Sequence, residues 1–303
     1  MDMRTYARTH PHTTAVLQAL FVTFLWSTSW VLIKFGLTDI PALTFAGLRY
    51  GLAWLCLLPL FWRRGGAAAL RGIPRRLWPR LIALGVLFYA LTQGAQFVGL
   101  AYLPAVTVNL MLGFTSVIVA VLGMLLLAER PSTLQWLGML LAAGGVVLYF
   151  TPVRLPAGQG IGLLVVAGGV LANALAAVVG RAVNRGGEIR PLAVTFVSMG
   201  IGAALLLAAG LWLQGMPALS WQNWAIIGWL AVVNTAVAFT LWNHTLRTLT
   251  AMESSIINNT MAVQIPILAV IFLGERLTGR AWLGLAVAVG GTLLVQLGRR
   301  RAA

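Results

Sequence analysis

The residues of this 303-residue chain that could do polar chemistry are amides, hydroxyls and indoles set inside long apolar runs. Trp26, Ser27 and Trp30 share one run, with the two tryptophans at i and i+4 on one helical face. Tyr89, Gln93 and Gln96 fall in a second run, and Asn109, with Thr115 and Ser116, in a third. Later runs carry Asn173, then Asn234 with Asn243 and His244, then Asn258 with Asn259 and Gln264. An unpaired polar group in hydrocarbon costs several kcal/mol, so groups at such depth must line a bundle interior or a wet cavity. The chemistry they suit is reversible binding, with hydrogen bonds from the amides and an apolar wall from Trp26 and Trp30. Each Asn or Gln has a plainer alternative, a hydrogen bond between neighbouring helices worth about 0.6–2 kcal/mol.

Carboxylates are missing where ion coupling would need them. Asp2 and Asp39 lie outside the runs, Glu188 is in a loop, and Glu129, Glu253 and Glu275 stand at run ends. A membrane-embedded carboxylate is the usual proton or sodium handle, so the expected cavity is polar but uncharged. A membrane enzyme acting on lipids or isoprenoids would need a metal or nucleophile constellation. The chain has three histidines and one cysteine, Cys56, with no H-E-x-x-H, Asp-rich or G-x-S-x-G motif. No metal site and no cofactor is expected.

The elements that must position these groups follow from composition. With 60% hydrophobic and 9% charged residues, the chain lacks the roughly 25% charge of soluble domains. A hydrocarbon core of about 30 Å needs about 20 apolar residues per helix. Ten windows qualify: 14–36, 42–62, 79–101, 104–127, 133–150, 160–182, 191–213, 221–246, 252–273 and 279–297. Pro41, Pro104, Pro131, Pro152 with Pro156, Gly186–Gly187 and Pro217 mark breaks between them. The first window is too long and its outer end too polar for a cleaved signal peptide.

Of 21 basic residues, only Arg154, Arg276 and Arg280 fall in the loops on the side away from the N-terminus, and Lys34 and Arg49 fall within spans. The other 16 fall on the N-terminal side, including Arg63, Arg64, Arg190 and Arg299–Arg301. By the positive-inside rule both termini are cytoplasmic; the expected location is a bacterial plasma membrane. The net charge of +15 therefore faces anionic lipid headgroups and excludes a nucleic-acid partner. Trp62, Trp78, Trp221 and Trp224 fall where interface belts are expected.

The second half repeats the first at a constant offset of 146. Glu129-Arg130 returns as Glu275-Arg276, Trp136-Leu137-Gly138 as Trp282-Leu283-Gly284, and Gly144-Gly145 as Gly290-Gly291. Five helices per repeat is odd, so the second copy inserts upside down, an arrangement that lets one site open alternately to either side. The expected organisation is an arm at 1–13, repeats at 14–152 and 158–298, and a basic tail at 299–303. Gly138, Ala142 and Gly145, like Gly284, Ala288 and Gly291, form small-residue faces for helix packing. Ser132-x-x-Gln135 has the form of a capping box. Glu129 and Glu275 read as loop-fixing groups.

The paired L-x-E-R helix ends, Trp26-Ser27 followed by Lys34, Trp242-Asn243-x-x-Leu246, and Pro266 nine residues before Glu275 resemble the drug/metabolite transporter superfamily, in its EamA-like ten-helix branch. Ala120 stands where Pro266 would map, and Asn173 stands where the resemblance leads one to expect Trp opposite Trp26. The resemblance implies an all-α membrane bundle with a central cavity, braced by spans five and ten. It implies a secondary transporter of a small organic metabolite, an amino acid or similar amphipathic compound, exported by alternating access. A multidrug or organic-cation exporter of the same superfamily is the alternative, but such small exporters rely on a first-helix Glu that this chain lacks. Lys34, with Arg181 as its repeat equivalent, and Arg49 either snorkel to the interface or attract a substrate carboxylate from the outer side. Pro266 would loosen span nine for gating. Partners are the substrate and lipid, with the protein a monomer or weak homodimer.

Overall fold

The structure is a computed structural model that describes residues 11–127, 132–151, 158–185, 188–245, 248–249 and 251–298. Glu129, the side chain of Asn243 and the basic residues of the two terminal arms lie outside that description. Every regular element among the described residues is helical. The principal rods are α1 (Pro11–Gly36), α2 (Ala42–Arg63), α3 (Arg75–Tyr102), α4 (105–127), α5 (Thr133–Phe150), α6 (Gln159–Arg185), α7 (Pro191–Leu213), α8 (221–245), α9 (251–273) and α10 (Gly279–Gly298). A short helix, Gly66–Arg71, links α2 to α3. Among the described residues nine helices are long and apolar enough to span a membrane. They match nine of the ten expected windows; α8 is helical throughout but is not among them. We call the face where α1 begins proximal and the face where it ends distal.

The repeat extends to the interruptions of the helices. α3 passes through a π-helical stretch at Gly85–Gln93, and α8 through one at Val232–Val237. In each a threonine fills the widened turn: Thr92 Oγ1 donates to Leu87 O at 2.7 Å, and Thr235 Oγ1 to Leu230 O at 2.8 Å. α4 is broken between Gly113 and Thr115, and α9 between Asn259 and Met261. Phe114 and Thr260, the two break residues, are again 146 positions apart. Wide turns of this kind cluster at functional sites in helices.

The most extensive packing runs between the repeats: α5 against α10, α2 against α7, α3 against α6 and α7, α4 against α6 and α9, and α1 against α8 and α9. The closest approach is the α5–α10 seam. A Cβ on Gly138 would lie 2.6 Å from Val295 N, and one on Gly284 2.6 Å from Tyr149 N. Cβ atoms on Gly145 and Gly291 would strike the backbones of Ala288 and Ala142. The small-residue faces are therefore packing surfaces. Phe45, Phe97, Leu81, Leu100, Met199, Ile227, Leu230 and Ile265 fill the interior, while Phe21, Leu140, Val147, Leu164 and Ile271 point outward. An apolar exterior of that extent suits lipid rather than water. Exposed Trp212 and Trp221 at the distal ends of α7 and α8, and Trp62 at the proximal end of α2, stand where aromatic belts form. The capping box holds, with Ser132 Oγ accepting from Gln135 N at 3.3 Å and Gln135 Oε1 from Ser132 N at 2.9 Å.

Candidate functional site

A cavity of about 980 Å³ reaches the proximal face between α2, α7 and α8. Leu57 and Phe61 line it from α2, Thr195 and Met199 from α7, and Thr235, Phe239 and Trp242 from α8. Arg64, Arg190 and His244 stand at its mouth, where Arg190 Nη1 donates to Arg64 O at 3.0 Å. Its wall is stiffened by aromatic stacking: Phe61 lies 4.0 Å from Phe196, ring on ring, and Trp54 stacks on the same ring while donating to Phe196 O at 3.0 Å. An apolar, aromatic pocket with polar groups at its ends is the usual form of a small-molecule site.

Behind the α8 wall, α1 and α8 hold each other by three bonds. Trp26 Nε1 donates to Asn234 O at 3.0 Å, and Asn234 Nδ2 donates to Leu25 O and, at 3.4 Å, to Thr28 Oγ1. The Trp26 ring packs 5.2 Å from both Phe239 and Trp242, the two aromatics that α8 gives to the cavity wall. A second polar seam joins α1 to α9. Ser27 Oγ donates to Gln264 Oε1 at 2.8 Å, and Gln264 Nε2 donates to Thr23 Oγ1 and Thr260 Oγ1 at 3.3 and 3.0 Å. This network sits at the α9 break.

The remaining candidates are dispersed. Trp30 is buried in the core, Tyr89 packs edge-on to Tyr50 at 5.7 Å, Gln96 is buried and Gln93 half-buried. Asn109 Nδ2 donates to Ala262 O at 3.3 Å, and Asn173 Nδ2 to Thr115 Oγ1 at 3.2 Å. Pro266 is buried and Asn258 is exposed. Thus Trp26, Ser27 and Asn234 share the α1 interface, whereas the others are spread through the bundle. Among the candidates, His244 stands at the mouth of the proximal cavity and Lys34 lines a groove at the opposite face.

Lys34 belongs to the distal face, in a groove of about 420 Å³ that also includes Tyr102, Leu103 and Glu275. Its Nζ donates to Leu100 O and Leu103 O at 2.6 and 2.9 Å, satisfying carbonyls that the end of α3 leaves open. Glu275 accepts from Ala105 N at 2.5 Å and Val106 N at 3.1 Å. Those are the orphan donors at the start of α4, where a negative charge also suits the helix dipole. One cation and one anion thus fasten the distal α3–α4 turn. At the proximal face the ion pairs among described residues are exposed, His12 with Glu253 and Arg76 with Glu188, each at 2.7 Å.

Sequence reasoning passed over the cavity wall itself. Thr235, Phe239 and Trp242 stand at i, i+4 and i+7, so a search for aromatic stripes on α8, rather than for amides, would have found it.

A helical bundle of two interlocked repeats around a cavity that reaches one face has the form of a multi-pass membrane transporter. The chain belongs to the EamA-like transporter family, whose family model matches residues 13–151 and 160–297. It is 28% identical over 216 residues to the uncharacterized transporter YvbV of Bacillus subtilis (strain 168), covering 70% of this chain and 67% of that protein. It is 25% identical over 294 residues to the uncharacterized inner membrane transporter YedA of Escherichia coli (strain K12), covering 93% and 90%. One solved crystal structure superposes with a TM-score of 0.64 at 18% identity, covering 96% of this chain and 99% of that one, a likeness of fold alone.

Proposed function

We propose that this protein is a secondary transporter that exports a small organic metabolite, an amino acid or similarly sized amphipathic compound, across the bacterial inner membrane. Both termini are cytoplasmic in this reading, because 16 of the 21 basic residues fall on the proximal side. The observation that carries it is the asymmetry of the two faces. A cavity of about 980 Å³ reaches the proximal face, while Lys34 and Glu275 fasten the helix ends at the distal one.

Substrate enters from the cytoplasm between α2, α7 and α8 and rests against Phe239 and Trp242. Export then requires the distal fastening to release and the proximal mouth to close. The paired π-helical stretches of α3 and α8 and the paired breaks of α4 and α9 supply matching points of bending in the two repeats.

Counterflow of a labelled metabolite panel in proteoliposomes tests this. Saturable uptake of at least one compound against its unlabelled excess is expected. No exchange of any compound by folded, reconstituted protein would overturn it.

A further inference from the structure

We propose that Arg49 is a binding site for the carboxylate of an amphipathic substrate; this rests on the transport reading and assigns its substrate class. Arg49 lies on α2 about two turns from the distal end, inside the membrane span, and is 6% exposed. Its Nε is buried without a hydrogen-bond partner. A guanidinium buried without a partner is costly, because nothing replaces the water it has given up.

No described carboxylate answers that charge. Glu188 pairs with Arg76 and Glu253 with His12, Glu275 is bound to the start of α4, and Asp39 is exposed beyond α1. Lys34, near the distal end of α1, has two carbonyl partners. Arg49 has instead two aromatic faces, with its guanidinium carbon 5.2 Å from the Tyr50 ring and 5.9 Å from the Phe97 ring. Such rings hold the planar fork in place by cation–π attraction and leave its N–H edges to be matched by a carboxylate.

Arg49 lies beyond the cavity lining but on the same face of α2 as two residues that form it. Arg49, Ala53, Leu57 and Phe61 recur every four residues on α2, and Leu57 and Phe61 line the cavity. Arg49 lies about 12 Å beyond Leu57 along the helix, with only the small, fully buried Ala53 on that stripe between them. A substrate whose apolar body lies against Leu57 and Phe61 directs its carboxylate toward Arg49, so the unpaired charge draws it from the cytoplasmic mouth into the membrane interior.

The test uses the full-length protein in neutral phosphatidylcholine nanodiscs, with benzoate against benzamide at matched ionic strength. Thermal unfolding is followed for wild type, Arg49→Gln and Arg49→Lys. Benzoate is expected to raise the wild-type midpoint by about 3 °C, the scale set by binding linkage, with benzamide giving less than a third of that. Arg49→Gln is expected to lose the difference between the two probes, and Arg49→Lys to keep it at reduced size. Equal shifts from both probes in wild type would overturn the proposal. So would no shift from benzoate, or a benzoate shift undiminished in Arg49→Gln. Anionic phosphatidylglycerol discs distinguish a lipid headgroup as the source of the anion: a benzoate shift abolished there, matched by a higher starting midpoint that Arg49→Gln lacks, would also overturn it. Benzoate binding at Arg49 without counterflow of any metabolite would instead sink the transport reading and leave the site standing.

Discussion

Asn109 of α4 repairs the helix that Pro266 interrupts in α9. Proline has no N–H, so the carbonyl four residues earlier loses its intrahelical donor. That carbonyl belongs to Ala262, and Asn109 Nδ2 donates to it at 3.3 Å. In hydrocarbon an unpaired carbonyl is costly, and the repeats are thus joined where α9 is weakest.

A double-mutant cycle follows. Asn109→Leu alone is expected to cost about 1 kcal/mol, the order of a membrane interhelical hydrogen bond. In a Pro266→Ala background the restored N–H satisfies Ala262, so the same change is expected to cost under about 0.5 kcal/mol. Equilibrium unfolding in mixed micelles measures both; equal costs would show that Asn109 does not serve the proline. Transport that is unchanged in Pro266→Ala would in turn count against gating at this point.

Trp26 separates a hydrogen bond from packing. Trp26→Phe removes the bond to Asn234 O but keeps an aromatic ring near Phe239 and Trp242, with an expected cost of about 1 kcal/mol. Trp26→Ala also empties that space and is expected to cost about 3–5 kcal/mol. Unfolding free energies that are the same for both variants would contradict the packing role.

The α5–α10 seam predicts opposite results for adjacent glycines. Gly145→Leu and Gly291→Leu drive side chains into facing backbone, and overpacking of this kind costs about 1–3 kcal/mol or more. Gly144 and Gly290 meet nothing within 4 Å, so Gly144→Leu and Gly290→Leu are expected to fold normally. The yield of monodisperse protein on size exclusion reads the contrast; uniform tolerance or uniform loss would refute it.

Glu275 acts as a helix cap in trans. Glu275→Ala leaves Ala105 N and Val106 N unsatisfied and is expected to cost about 1–2 kcal/mol, with Glu275→Gln intermediate because it keeps an acceptor. Thermal midpoints measure the order, and a Gln variant worse than Ala would contradict it.

The spans and the repeat were legible because hydrophobic runs and glycine spacing are imposed directly by lipid and by helix contact. The spacing of Gly138 and Gly284 points to packing surfaces, and both meet facing backbone. The site was harder to read, for a physical reason. Polar groups in a low dielectric satisfy one another first, so Ser27 found Gln264, Asn234 found the α1 backbone and Asn109 found Ala262. The cavity is walled by Leu57, Phe61, Met199, Phe239 and Trp242, residue types that in a membrane chain occur everywhere. The breaks at Phe114 and Thr260 were equally hidden, since neither residue is a helix breaker; only their 146-residue spacing marks them as a pair.

Sidedness of the cavity tests the account most directly. In a Cys56→Ser background, Thr195→Cys places a thiol on the cavity wall, to be probed with a membrane-impermeant maleimide in oriented membranes. Labelling is predicted from the cytoplasmic side in the resting protein, with labelling from the opposite side appearing when Lys34→Met and Glu275→Ala together release the distal fastening. Labelling of the resting protein from the periplasmic side alone, or no change of side on releasing that fastening, would contradict it.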